Sequence, residues 1–227
     1  MPDRKQTRRQ FVTKAPNGNG TVSVRVVAMN LDHVTWWDAY VQKEIDTNFR
    51  YKSRADIGWH WPRIFYFTNA TKFLLQRPTG YTLGIVLPGN KFMPCALVSL
   101  VHYKFFPNRR QKATFLWYLA DAPREILDRQ LIRFGLTYSP PKMLGRIGLD
   151  IMTTHSFING QQGRSELHAS PSGGERLMEW YRKQGMINFS SQGKLPGIRR
   201  FLGNDGRYFY FTSSDAIIFS QRLDEFR

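Results

Sequence analysis

Apolar and polar residues alternate with period two through residues 21–29 (TVSVRVVAM), a run rich in β-branched side chains that predicts a strand. The period then lengthens: Leu31, Val34, Trp37, Val41 and Ile45 recur at three and four, predicting a helix over residues 31–45 with Asn30 placed to cap it. Residues 63–68 read as a strand or as apolar support. Residues 81–87 (YTLGIVL) and 94–105 (PCALVSLVHYKF) are strand-like runs separated by Pro88, Gly89 and Asn90, which predicts an antiparallel hairpin.

Residues 113–119 (ATFLWYL) give a further strand. Pro123 can open a helix over residues 124–134, with Ile126, Leu127, Leu131 and Phe134 near one side. After Pro140 and Pro141, Leu144, Ile147, Ile151, His155 and Ile158 return to helical spacing, ended by Asn159 and Gly160. Residues 165–170 supply another strand. Ser172 followed by Glu175 has the form of a capping box for a last helix carrying Leu177, Trp180, Tyr181 and Gln184, and Gly185 is placed to end it in a left-handed turn. Residues 203–206 (GNDG) mark a hairpin between runs at 198–201 and 207–211, and residues 216–219 add a strand or short helix.

With 227 residues the chain has room for one full core, and an aromatic content of 15% argues against disorder within it. Residues 1–20 read as a flexible basic arm and residues 21–227 as a single domain. One cysteine, Cys95, excludes a disulfide framework and a cysteine-based zinc site, so no metal is expected. No apolar run approaches membrane-span length and MPDRKQTRRQ lacks the apolar segment of a signal peptide, so a cytoplasmic location without stable membrane association is expected. The formal charge of +16, from 33 basic and 17 acidic residues, concentrates anions at the surface. Residues 48–60 interleave Arg50, Lys52 and Arg54 with Phe49, Tyr51 and Trp59, a pattern suited either to stacking bases between phosphates or to a solvated loop.

The order strand, glycine-bearing loop (Lys142-Met143-Leu144-Gly145-Arg146-Ile147-Gly148), helix, strand, and helix ending Trp180-Tyr181-Arg182-Lys183-Gln184-Gly185-Met186 resembles the core of the GCN5-related N-acetyltransferase (GNAT) superfamily. The loop is divergent: Lys142 stands where the family has Gln or Arg, and Ile147 where it has a second Gly or Ala, with Gly148 one residue late. The resemblance implies an α+β fold, with a mixed, mostly antiparallel central sheet flanked by helices. Residues 124–134 would be an inserted helix before the cofactor loop, able to cover the sheet or to place Tyr138 near the chemistry. It further implies acetyl-CoA or another acyl-CoA as cofactor. Backbone groups at Leu119 and Ala120 would lie beside pantetheine, and Lys142, Leu144, Gly145, Arg146, Ile147 and Gly148 would form the pyrophosphate cradle.

The implied function is an N-acyltransferase acting on an amine by direct attack, with Tyr181 protonating the departing thiolate. Glu166 and His168, two apart on one strand face, and Asp121 at the end of the preceding strand stand as alternative bases. Two other functions fit the charge and the altered loop: a modifying enzyme of the same fold acting on tRNA or a DNA base, and a non-catalytic basic binding module. Oligomeric state is not encoded in any of these patterns.

Overall fold

A computed structural model describes residues 9–14, 21–70, 78–137, 139–196 and 203–226. Among these residues eight strands, β1 (Arg9–Lys14), β2 (Thr21–Ala28), β3 (Thr79–Val86), β4 (Phe92–Lys104), β5 (Lys112–Asp121), β6 (Ser165–His168), β7 (Ile187–Asn188) and β8 (Tyr208–Phe211), form one sheet. Its order is β1-β2-β3-β4-β5-β6-β8-β7. Every neighbouring pair is antiparallel except β5 and β6, which run parallel. The helices are α1 (Leu31–Trp37), α2 (Lys43–Thr47), α3 (Trp61–Ala70), α4 (Arg124–Arg133), α5 (Leu144–Ile158), α6 (Gly174–Lys183) and α7 (Ser213–Gln221).

Helix α1 begins as its sequence directs, with the Asn30 side chain accepting from the backbone of His33 at 2.9 Å. A π-helical turn, Asp38–Gln42, then joins it to α2. Residues four apart drift around an α-helix, and this wider turn returns Trp37, Val41 and Ile45 to one line, where all are fully buried. The hairpin of β3 and β4 turns at Pro88–Asn90. Its register shifts between Leu83 and Gly84, which leaves Cys95 as a bulge and lets Pro94 sit inside a long strand.

Several elements depart from the sequence reading. Arg9–Lys14, placed in a flexible arm, pairs with β2; the rest of the arm, residues 1–8 and 15–20, lies outside the described residues, as do Tyr138 and residues 198–201. Residues 63–68 belong to α3 and not to a strand. Ile, Phe, Tyr and Thr there favour extended chain, yet Trp61, Ile64 and Thr68 are the buried positions and their three- and four-residue spacing is helical. Ser172 and Glu175 form no capping box: Ser172 lies in a 3-10 turn, α6 has no side-chain cap, and Glu175 bonds Arg182 at 2.6 Å. A capping box does open α7, where Thr212 and Asp215 bond each other's backbone.

Under α5, His155 is only 7% exposed and its ring lies 5.2 Å from that of His102. Burial, and then the neighbouring His102, hold its pKa down at about 4 against the usual 6.5. The unfolded chain therefore protonates this ring at higher pH than the folded one, so its stabilising contribution is complete above 6.5 and falls as pH drops toward 4. The loss amounts to roughly 3 kcal/mol across that window. Urea midpoints should fall between pH 7 and pH 5 in the wild type and fall less in His155→Leu; equal sensitivity in both proteins would remove His155 as the cause.

Candidate active site

The site is made by two strands that stop pairing. β5 and β6 are in register at Thr114 with Ser165, Phe115 with Glu166 and Leu116 with Leu167, and there the pairing ends. Among the described residues β5 runs on to Asp121 with β4 alone as partner. The β4 register also shifts between Ser99 and Leu100, so Trp117 is an extra residue at the point of divergence. A bulge bends and twists its strand, which opens the gap. Among the described residues, the β6-facing backbone of β5 has no strand partner beyond Leu116, which leaves it open to pair with an extended ligand.

The gap forms a cleft of about 840 Å³, a volume typical of small-molecule and cofactor sites. Two helix starts open into it. α5 follows Met143, whose φ of 62° is left-handed, and no side chain caps it. Its first helical bond runs from Ile147 to the Met143 carbonyl at 3.0 Å, so the N–H groups of Leu144, Gly145 and Arg146 precede the intrahelical ladder. The left-handed residue followed by helix turns such groups toward one point, as anion-binding nests do. α6 starts at Gly174, with φ 58° and again no side-chain cap, and Gly173, Gly174 and Arg176 line the cleft.

The sequence candidates separate on this geometry. Leu119, Leu144, Gly145, Arg146, Asp121, His168 and Tyr181 line the cleft. Ile147 is wholly buried in the core, Ala120 is 2% exposed, and Lys142 is exposed outside the cleft wall. Gly148 is a packing residue: a methyl group there would sit 2.5 Å from Leu119 Cδ1, so the missing Cβ lets α5 lie close on β5 and presents nothing to a phosphate. Glu166 is fully buried and its Oε2 accepts from the Phe106 backbone at 2.9 Å. It supports the sheet and does not reach the cleft. Helix α4 contributes no residue to the cleft wall; its Arg129 pairs with Glu44 in the first turn of α2.

Tyr181 is held by its helix end. The Gly185 N–H bonds the Arg182 carbonyl at 2.9 Å and the Met186 N–H bonds the Tyr181 carbonyl at 3.2 Å, with Gly185 at φ 91°. This paired closure of the last turn fixes the backbone that carries the phenol. The ring lies 5.5 Å from Phe209 and 5.1 Å from Trp180. Burial, and then the negative charge of Asp121, push its pKa above the ordinary tyrosine value, so the hydroxyl keeps its proton.

Asp121 faces α5, with Oδ2 3.7 Å from where a Gly145 Cβ would be. Burial raises its pKa and Arg54 opposes this; half of the side chain is open to the cleft, so water blunts both effects. Arg54 grips Asp56 with two bonds of 2.7 and 2.8 Å and donates to the Asp121 carbonyl at 2.7 Å. Across the gap, Ser170 Oγ donates to the Ala55 carbonyl at 3.2 Å. Loop 53–56 is thereby tied to both arms of the splay. Of the basic and aromatic run at 48–60, it is this loop and Trp59 that line the cleft, while Phe49 is 76% exposed beneath Lys52. Trp59 stands edge-on to Tyr118 at 5.0 Å, and Trp117 meets Phe67 of α3 at 5.3 Å, giving an aromatic wall on the α3 side.

Sequence reasoning missed Asp56, Ser170, Arg176 and Trp180 as cleft residues. The paired glycines 173 and 174 at a helix start were the one signal that could have found α6's contribution. Among the described residues no group of three or more His, Cys, Asp or Glu could hold a metal ion, and no helix is long and apolar enough to cross a membrane.

These residues fit an acyl-CoA. An uncapped helix start faces the cleft without a Cβ at Gly145, arginines flank it, and unpaired strand backbone runs beside it. A seven-strand order β2-β3-β4-β5-β6-β8-β7, splayed at its one parallel pair, is the fold of the GNAT superfamily. FdhC, a nucleotide-linked sugar GNAT solved in its apo form, superimposes with a TM-score of 0.53 at 11% identity, covering 96% of this chain and 98% of its own. AtaTR bound with acetyl-CoA gives 0.44 at 14% identity, over 86% of this chain and 96% of that one. A mutant of the spermidine N-acetyltransferase SpeG from Vibrio cholerae gives 0.46 at 12% identity, over 86% and 96%. No protein-family model matches the sequence, and no curated protein matches it.

Proposed function

We propose that the protein is an acyl-CoA-dependent N-acyltransferase that passes an acyl group, acetyl in the simplest case, directly to an amine. The observation that carries this reading is the convergence of the α5 start, the unpaired β5 backbone and the Tyr181 phenol on one cleft. Gly145 and Arg146 would hold the pyrophosphate and the β5 backbone beyond Leu116 the pantetheine. The bound cofactor supplies an activated thioester carbonyl.

The protein's part is positioning and proton transfer. Tyr181 holds a proton at Oη for the departing sulfur, and burial keeps it there at neutral pH. An amine reaches the cleft as ammonium and must lose a proton before it attacks. Of the three alternative bases Glu166 is sequestered, and the strand register favours one of the other two. His168 is one residue past the last β6 pairing and so stands level with the Trp117 bulge, where the strands part. Asp121 lies at the far end of β5 beside α5. We assign the base to His168, and to Asp121 the support of loop 53–56. A nucleic acid carrying the amine is the second reading, favoured by the +16 charge.

Isothermal titration with acetyl-CoA, with CoA for comparison, tests the cradle. Saturable binding at one equivalent is expected. Absence of binding by both ligands would leave a basic module with an acyltransferase fold and no acyltransferase chemistry.

A further inference from the structure

His168 does not stand alone. Its Nε2 lies 2.9 Å from Asp205 Oδ2, and its ring lies 4.4 Å from that of Tyr208 at a tilt of 35°. Asp205 belongs to the GNDG turn at 203–206, which is built to hold one conformation. Gly203 and Gly206 take φ of 74° and 77°, a region that other residues enter at a cost. Asn204 Nδ2 reaches the Gly193 carbonyl at 3.1 Å and its Oδ1 accepts from Gly206 at 3.0 Å. Asp205 Oδ1 accepts from the Arg207 backbone at 3.0 Å, and the Arg207 carbonyl accepts from Ala169, next in the chain after His168. One carboxylate oxygen is thus fixed to the turn, the other is aimed at the imidazole, and the turn itself is bonded to the strand end that carries the ring.

From this geometry we infer that Asp205 is a positioning residue, which locks His168 in the Nε2–H tautomer and leaves Nδ1 as its proton-accepting nitrogen. The inference rests on His168 being the base of the proposed acyl transfer. Exposed ion pairs contribute little to stability, so a turn this heavily constrained around one carboxylate points to orientation of the ring. Burial works against ionisation of Asp205, but the His168 ring and the Arg207 N–H hold its pKa below the usual carboxylate value. The other groups around His168 are Glu166 two residues back, Arg207 and Tyr208 after the turn, and Arg54 and Asp121 across the cleft.

The test is imidazole nitrogen NMR on the full chain labelled with ¹⁵N, with His168 signals assigned by their loss in His168→Gln. The wild type should show the Nε2–H tautomer when neutral. In Asp205→Asn, which retains an oxygen for the Arg207 N–H, both tautomers should appear. Asp205→Glu should restore the wild-type tautomer. Should Asp205→Asn not fold, Asp205→Ser serves, with the same expectation. An unchanged tautomer on loss of the carboxylate would overturn the role of Asp205. Failure of the base reading appears elsewhere: His168→Gln would then turn over acetyl-CoA with an amine at the wild-type rate, whatever the tautomer.

Discussion

Tyr181→Phe is expected to lower the turnover of acetyl-CoA with an amine about a hundredfold, the lower end of what a positioned proton donor contributes, while leaving acetyl-CoA affinity as it is. The separation follows from what the hydroxyl touches. Tyr181 is 7% exposed and packed through its ring against Trp180 and Phe209, contacts that phenylalanine keeps. Among the described residues the hydroxyl makes no hydrogen bond, so its removal breaks no structural bond. A lower kcat with unchanged titration by acetyl-CoA is the signature of a group that acts after binding. An unchanged kcat would remove Tyr181 from the chemistry and reduce it to packing.

Phe209→Ala should destabilise the fold by about 3–5 kcal/mol, as deletion of a fully buried aromatic side chain does. Phe209 is wholly buried on β8, pairs with Leu167 of β6 and Asn188 of β7, backs the Tyr181 ring and lies 6.0 Å beneath the Arg182 guanidinium. The void would open directly behind the catalytic candidate, so a loss of turnover should accompany the fall in the denaturation midpoint at temperatures where the protein is still folded. Phe209→Leu, which refills part of the volume, should recover much of both. A midpoint within about 1 kcal/mol of wild type would mean that α6 and β8 collapse onto the gap.

The legible parts of this molecule are those whose signals are local. The β3–β4 hairpin and helix α5 were readable from periodicity, and the end of α6 from Gly185. The chain order carried the GNAT resemblance. What was not legible depends on partners remote in sequence. Helix α3 has strand-forming residues, and only packing against the sheet, including a Thr68 hydroxyl 3.2 Å from that of Ser99, selects the helix. Gly148 looks like a phosphate glycine until Leu119 is seen above it. Glu166 and His168 share a strand face, but Phe106 covers one and leaves the other at the cleft. Asp205 was read as turn punctuation because His168 is 37 residues away. The loop at 53–56 was noticed for its charge, whereas its position depends on bonds to Asp121 and Ser170, which no local pattern encodes.

The extra residue in β5 sets a parity for the whole site. In a regular strand, neighbours point to opposite faces, yet Trp117 meets α3 and Tyr118 meets Trp59, while Leu119 turns to α5. The odd count at Trp117 therefore divides the strand's labour. Aromatic surface lies on one side, toward α3, and aliphatic and acidic groups lie on the other beside the helix start. A chain shortened by that one residue would keep its sheet and its composition, but every side chain on one flank of the deletion would exchange faces, and the two half-sites would no longer look into the same gap.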